Sequence, residues 1–383
     1  MILHIDLDCF FVAAARTKDP SLKGKKVAVV GGNSSVIFGE KESVGGVVLS
    51  ASYEARKDGV CSALSLKKAQ NLCKDLIVVK ADHALYKEFS NKLYKLLYNY
   101  TPDIEQFSID EFFVDLNGIE ANDDPLNFAH KLQDEILSKL NLPASIGISE
   151  AKYIAKLTTD LVKPYGVGMV RVCEIKDKLG DIDIAKFPGV GARIKVELNR
   201  CGVYTINDVF GAKFLFEKFG KNGIKLYESI TGEGLNTLEF RRVRKSFSHA
   251  RTFDVLMDRD EVERRILILC RYLSFDIHKF GKSPTKFDFK LRYLPRETHS
   301  KSVTLKESFS QSLLDKVMLT LFREIDRKKS IGISYISVGV GSFVDAKIKT
   351  LFSDESRTKL DDALQEIREK HGIELLKTAK EIR

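Results

Sequence analysis

Gln106-Phe-Ser-Ile-Asp-Glu-Phe-Phe-Val-Asp115 sets two adjacent acids, Asp110 and Glu111, between two apolar runs, the pattern of a β-hairpin with carboxylates at its tip. A second stretch, Ile2-Leu-His-Ile-Asp-Leu7, alternates as a buried strand, with Asp6 and Asp8 at its end. A carboxylate leaving a core strand is costly to bury without a partner or a metal. If that strand pairs beside the hairpin, Asp6, Asp110 and Glu111 converge. Three acids in hydrogen-bond reach cannot all stay ionised without cations. Hard divalent ions with oxygen ligands, magnesium above all, answer that need. Two of them about 3.5–4 Å apart can clamp the attacking and leaving oxygens of a phosphoryl transfer. Each acidic pair taken alone reads as a solvated turn.

Groups suited to a triphosphate stand elsewhere in the chain. Ser50-Ala-Ser-Tyr-Glu-Ala-Arg-Lys57 puts Tyr53 and Arg56 at i and i+3 on one helical face. A guanidinium forks onto phosphate oxygens, and a tyrosine hydroxyl adds a neutral donor. Lys163, before Pro164 at the end of a helix over 151–162, offers a compact ammonium. Singly, Arg56 and Lys163 read as surface charges. Further on, Phe187-Pro-Gly-Val-Gly191 with Leu198, Gly202 and Ile206 has the form of a helix-hairpin-helix. There Gly189 and Gly191 allow a tight turn whose amides approach phosphates closely. An αα-hairpin needing glycine only for its turn is the alternative.

The segment 246–343 reads as one unit. After a strand over 246–253 and a cap at Asp258, Val262, Ile266, Leu269, Leu273 and Ile277 recur at spacings of 4, 3, 4 and 4, one apolar helical stripe. In Lys286-Phe-Asp-Phe-Lys-Leu-Arg-Tyr293 the residues Phe287, Phe289, Leu291 and Tyr293 face one way, and Lys286, Asp288, Lys290 and Arg292 the other. A connection around Pro295 leads to a strand near 302–308; Leu314, Val317, Leu321 and Ile325 repeat the helical spacing, and 335–343 is a last strand. The order β-α-β-β-α-β is that of a ferredoxin-like layer, with two helices on one face and the other left for a partner. Charge agrees. Residues 1–240 balance at −1, residues 241–349 at +11 and residues 350–383 at −1. A segregated positive excess is the footprint of a polyanion-binding module, and a basic surface kept for solubility is the plain alternative. Before the module, Arg241-Arg-Val-Arg-Lys245 reads as an extended basic linker within 238–246.

Composition excludes other classes. At 383 residues, 44% hydrophobic and 30% charged, the chain is an ordinary globular protein of two to four domains. No apolar run reaches the length of a membrane span, and the two aspartates in the first ten residues argue against a signal peptide. The six cysteines form no C-x-x-C pair, so reduced thiols in a cytosol are expected rather than zinc or disulfides.

In order along the chain, Asp6-Leu-Asp-Cys-Phe-Phe11, Ser52-Tyr-Glu-Ala-Arg-Lys57, Ser108-Ile-Asp-Glu111, Lys163-Pro-Tyr-Gly166, Phe187-Pro-Gly-Val-Gly191 and Arg242-Val-Arg-Lys-Ser246 resemble the motifs of Y-family, DinB-like translesion DNA polymerases. The resemblance spans about residues 1–345. It implies a multidomain α+β right-hand polymerase. A ferredoxin-like palm would cover 1–10 and 82–171, small fingers 11–81, and a helical thumb with the helix-hairpin-helix 172–238. A basic linker at 239–246, a ferredoxin-like little finger at 247–345 and a tail at 346–383 would follow. It implies Asp6, Asp110 and Glu111 as catalytic ligands of two Mg2+ ions, with the Leu7 carbonyl helping. It implies Ser50, Tyr53, Arg56 and Lys163 on the triphosphate of a dNTP, and Phe11 as a steric gate against a 2′-hydroxyl. Asp8 is read as support for that site and Phe10 as core. Primer-template DNA would meet Gly189, Gly191, Arg241, Arg242, Arg244, Lys245, Lys286, Lys290 and Arg292. A cytoplasmic monomer acting in translesion synthesis and repair is expected.

The chain departs from the family pattern at Ala15, where many members carry an acid, at Ser50, where threonine is common, and in a longer loop over Gly31–Gly46. Of the clamp-binding peptide that bacterial members often carry, only Leu351-Phe352 stand here, and they serve equally to dock a tail helix over 355–370. A catalytically silent DNA-binding relative and a palm-type nucleotidyl cyclase are the rival readings. The first would have eroded acids; the second would need neither hairpin nor basic module.

Overall fold

The computed structural model describes residues 1–31, 36–38, 46–234, 237–240, 243–295, 297–345 and 355–382. It forms two compact units, Met1–Gly32 with Gly45–Arg242, and Asn33–Val44 with Val243–Arg383. Arg241, Arg242, Leu351 and Phe352, and most of the Gly31–Gly46 loop, lie outside the described residues.

The first unit begins with β1 (Ile2–Leu7), α1 (Phe10–Lys18), β2 (Val27–Val30), β3 (Val48–Ala51), α2 (Tyr53–Arg56), α3 (Leu66–Leu72) and β4 (Ile77–Lys80). It continues with α4 (His83–Tyr98), β5 (Ile104–Gln106), β6 (Glu111–Asp115), α5 (Pro125–Leu140), β7 (Ala144–Ser149), α6 (Lys152–Val162) and β8 (Val167–Met169). All six residues of β1 are buried, because the strand is central in the sheet β5-β6-β1-β7-β8 and covered on both faces. Its period of two decides which face each residue takes. Leu3, Ile5 and Leu7 join Tyr86, Leu93, Leu132 and Ile136 in the core under α4 and α5. His4 turns the other way, its Nδ1 2.9 Å from the Thr159 hydroxyl on α6. Strands β1, β5, β6 and β7 with α4 and α5 follow the ferredoxin-like order. In this register Asp6 stands opposite Glu111 on β6 and Ser145 on β7. A small sheet β3-β2-β4 packs separately. The unit ends in helices α7 (Ile175–Leu179), α8 (Ala192–Arg200), α9 (Lys213–Glu217) and α10 (Gly220–Thr231), built on a core that includes Phe187, Leu198, Ile206 and Phe216.

The second unit runs β9 (Ser246–Leu256), α11 (Arg259–Phe280), β10 (Lys282–Tyr293), β11 (Glu297–Thr304), α12 (Gln311–Ile325) and β12 (Ile333–Asp345), the β-α-β-β-α-β order read from periodicity. Asp258 caps α11 by accepting from the amides of Asp260 and Glu261. The stripe Val262, Ile266, Leu269, Leu273 and Ile277 is buried against Phe287, Phe289, Leu291 and Tyr293 of β10. Two expectations change. The sheet order is β11-β10-β12-β9, so the second and fourth strands are central, not the first and third as in a ferredoxin-like sheet. The third strand starts at Glu297 rather than near Ser302, because a tight turn at Leu294-Pro295 lets Tyr293 pair directly with Glu297.

Two further segments complete this unit, against the expectation of a contiguous 11–81 segment and a separate tail. Phe38 is buried in its core, its ring edge-on to Phe253 and under the Arg265 guanidinium. The last helix, α13 (Glu355–His371), and the turn after it lie on α11 and α12 through arginines. Arg271, fully buried, donates to Glu381 at 2.7 Å, to Glu374 at 3.1 Å and to the Ile373 carbonyl. Arg368 donates to Gln311 at 2.8 Å. Arg264 donates to the carbonyls of both Glu381 (3.2 Å) and Phe38 (2.9 Å). Among the described residues no helix is long and apolar enough to cross a membrane.

Candidate active site

Strand pairing carries the acids to one end of the five-stranded sheet. The Leu7 amide donates to the Asp110 carbonyl at 3.2 Å, which fixes the hairpin tip beside the end of β1. Ser108 turns that tip: its hydroxyl donates to the Asp110 carboxylate at 2.5 Å and accepts from the Asp110 and Glu111 amides. Burial raises the Asp110 pKa. Burial, with Glu111 and Asp110 close by, pushes Asp6 up to about 7 although Lys163 opposes it. Glu111 goes the other way. Burial would raise it, but its partners hold it below the ordinary carboxylate range. Of these partners Lys156, at 2.7 Å, is the effective one. His4 stands 3.7 Å off, beyond hydrogen-bond reach, and burial drops its own pKa to about 4, so the ring is neutral.

Asp6 and Glu111 therefore find cations within the chain, while Asp110 has the Ser108 hydroxyl. Lys163 lies 2.6 Å from Asp6, Lys156 pairs with Glu111, and Lys152 pairs with the fully buried Glu105 at 2.5 Å. Positions 152, 156 and 163 fall on one helical face at 3.6 residues per turn, so α6 and its C-cap present a row of ammonium groups to the sheet. The expectation that Asp6, Asp110 and Glu111 meet in hydrogen-bond reach is not met in this form. Among the described residues the cluster of three possible ligand atoms within 4.8 Å is Asp58, Cys73 and Asp75, and Lys26 already bridges its two acids. As a donor set, Asp6, Asp110 and Glu111 still fit hard divalent cations. Asp6 is buried and Asp110 half-buried, both with raised pKa, the state that gains most from added positive charge.

A cavity of about 190 Å³ opens beside these acids, lined by Asp6, Leu7, Phe11, Ser50, Tyr53, Arg56, Asp110 and Lys163 among others. Arg56 sits over the Tyr53 ring at 4.9 Å, with its Nε donating to the Ala51 carbonyl. Phe11 stacks on Tyr86, centroids 4.3 Å apart and planes at 21°, while Phe10 is core as expected. Asp8 does not line the cavity. It accepts from Ser145, Tyr53 and the Tyr165 amide. Lys156, Tyr86 and Ser145 went unread in the sequence, and Tyr165 entered only as a member of the Lys163–Gly166 motif. The spacing of lysines 152, 156 and 163 was a signal for the first; the others come from packing between distant segments.

The remaining candidates fall on two surfaces. Gly189 has φ +96°, a conformation that favours glycine, and Gly191 caps α8 with open space where a Cβ would be. On the C-terminal sheet, Lys286, Lys290 and Arg292 face away from the core. Register sets them among Ser302, Ser300 and Thr298 on β11, Gly341, Gly339 and Ser337 on β12, and Ser246 and Ser248 on β9. The result is a face of hydroxyls and glycines around a mainly cationic strand, in which Asp288 pairs with Lys286 at 3.3 Å. Arg244 stacks over Phe247 at 4.2 Å, and Lys245 is exposed where the chain enters β9.

Comparison with known proteins finds relatives of a similar mixed α+β fold. The impB/mucB/samB family matches residues 5–160, and the C-terminal domain of the same family matches residues 244–351. A DNA polymerase IV of Staphylococcus aureus (strain bovine RF122 / ET3-1) is 34% identical over 313 residues, 81% of this chain and 93% of that protein. One from strain Newman is 32% identical over 355 residues, 91% and 97%. Among solved structures, a Y-family DNA polymerase chimera of Dbh and Dpo4 gives a TM-score of 0.79 at 26% identity, covering 90% of this chain and 99% of that one. The chain belongs to the impB/mucB/samB family and is a DinB-like Y-family DNA polymerase.

Proposed function

We propose that this DNA-directed DNA polymerase adds dNTPs to a primer 3′-hydroxyl on a DNA template, using two Mg2+ ions, and serves translesion synthesis and repair. The observation that carries the reading is the gathering of Asp6, Asp110, Phe11, Ser50, Tyr53, Arg56 and Lys163 from four separate stretches of chain around one cavity. In this reading 1–10 and 82–171 form the palm, 11–81 the fingers apart from the piece at Phe38, 172–238 the thumb and 247–345 the little finger. The protein works in the cytoplasm as a monomer.

Asp6, Asp110, Glu111 and the Leu7 carbonyl would hold the ions. When bound, these supply positive charge that acidifies the primer hydroxyl and neutralises the departing pyrophosphate. The chain does the rest. Arg56, braced by the Ala51 carbonyl and the Tyr53 ring, keeps a fixed fork for phosphate oxygens. Ser50 and Tyr53 add hydroxyls on the same wall. Lys163 reaches the same cavity from the C-cap of α6, with its ammonium resting on Asp6. Phe11, held flat on Tyr86, presents a ring where a sugar would lie. The little-finger field around Lys286, Lys290 and Arg292, with the thumb glycines and Arg244-Lys245, suits a phosphate backbone because its contacts are cations, hydroxyls and amides rather than base-reading groups.

Primer extension by Asp110→Asn and Glu111→Gln tests the assignment. Both should abolish nucleotide addition and leave primer-template affinity nearly unchanged, since duplex is held elsewhere. Substantial extension by both variants would remove these acids from the chemistry.

A further inference from the structure

We propose that Asp8 is a positioning residue that ties the two walls of the nucleotide cavity together, and that it holds no metal. The proposal rests on the polymerase reading above and adds a role that the reading does not require. Asp8 is 2% exposed, yet no ion pair reaches it among the described residues. Neutral donors from three distant segments satisfy it instead. The Tyr53 hydroxyl donates to Oδ1 at 3.2 Å, the Ser145 hydroxyl lies 3.1 and 3.0 Å from its two oxygens, and the Tyr165 amide donates to Oδ2 at 2.8 Å. A carboxylate so occupied is absent from the cavity lining that includes Asp6 and Asp110, and its oxygens are already committed to donors of the protein.

Each donor belongs to a different part of the site. Tyr53 opens α2 and carries the Arg56 guanidinium on its ring. Tyr165 lies two residues after Lys163 in a turn with φ +52°, a left-handed conformation that a tyrosine takes only when its surroundings hold it. Ser145 is the cross-strand neighbour of Asp6. Asp8 itself is followed by Cys9 at φ +46°, so the chain spends backbone strain to bring this carboxylate inward. One side chain thus sets the spacing between the Tyr53–Arg56 wall and the Lys163 wall, and both walls meet the same triphosphate.

The test combines nucleotide kinetics with metal binding. Asp8→Ala, Asp8→Asn, Tyr53→Phe and the Asp8→Ala/Tyr53→Phe double variant are compared in single-nucleotide insertion. Mn2+ binding to the full chain is measured by calorimetry without nucleotide, with Asp110→Asn as the reference for a lost ligand. The expected result for Asp8→Ala is a KM for dNTP raised about tenfold or more, as for a lost set of hydrogen bonds to a charged group, with a smaller fall in kcat and unchanged Mn2+ affinity. Tyr53→Phe should raise KM in the parent chain and add little once Asp8 is gone, because the two share one interaction. Asp8→Asn should recover part of the loss, since its amide oxygen still accepts from Tyr53; it also carries the comparison if Asp8→Ala does not fold. Independent, multiplicative KM effects would overturn the proposal. So would weakened Mn2+ binding by Asp8→Asn to the level of Asp110→Asn, which would make Asp8 a ligand. If the parent chain extends no primer, the polymerase reading fails, while the Mn2+ comparison still decides whether Asp8 binds metal.

Discussion

Asp315 on α12 offers a sharp test of how the C-terminal segment is held. Its carboxyl meets the Cys270 thiol on α11 and shares its surroundings with Asp361 and Arg368 on α13 and with Glu381 beyond. Its Oδ1 is buried and accepts no hydrogen bond among the described residues. Burial, then the charges of Glu381 and Asp361, push the pKa from 3.8 to about 7. The folded protein therefore binds a proton that the unfolded chain gives up near pH 4, so the stabilising proton is fully present below that pH. Stability falls as pH rises from about 4 to about 7 and is level above that. At about 1.36 kcal/mol per pH unit, the loss between pH 5 and pH 8 is about 3 kcal/mol. Asp315→Asn imitates the protonated acid and should abolish it. Urea unfolding of both proteins at the two pH values, followed by circular dichroism, measures the effect. The variant should gain about 3 kcal/mol on the parent between pH 5 and pH 8. An equal difference at both pH values would refute the reasoning and leave Asp315 ionised in the folded state.

Two other outcomes are expected. Phe11→Ala should incorporate ribonucleotides far better while dNTP use falls much less; if Phe11 were core alone, a melting curve would show a loss of about 3–5 kcal/mol with the sugar ratio unchanged. Replacing Lys286, Lys290 and Arg292 together by alanine should flatten the log–log salt dependence of primer-template binding by about 0.9 per lost phosphate contact, and an unchanged slope would assign that sheet face to another partner.

Much of this was written locally in the chain. Period-two alternation placed Phe287, Phe289, Leu291 and Tyr293 inward, and the helical stripe from Val262 to Ile277 packs where its spacing put it. The acids at Asp6, Asp110 and Glu111 could be read because strand ends and a hairpin tip are local features. Strand order was not legible: the same β-α-β-β-α-β sequence of elements permits either pair of central strands, and side-chain packing across the sheet decides. Nor was the charge balance of the site. Lys156 and Lys163 reach their acids only because β1 lies between β6 and β7 with α6 across it, a matter of topology. The burial of Phe38 and of Arg271 depends on partners more than a hundred residues away, where no periodicity carries a signal.

Arg264 grips the carbonyls of Phe38 and Glu381 at once, so the C-terminal unit takes its outermost pieces from near both ends of the sequence. That imposes an order of events on synthesis. Most of the first unit is complete once residue 242 has left the ribosome, and domains fold as they emerge. The second cannot close until residues 355–382 arrive, and until then Arg271 and the surrounding helix faces wait without their carboxylates. A nascent chain stalled before that point would carry a finished first unit and an unfinished second one.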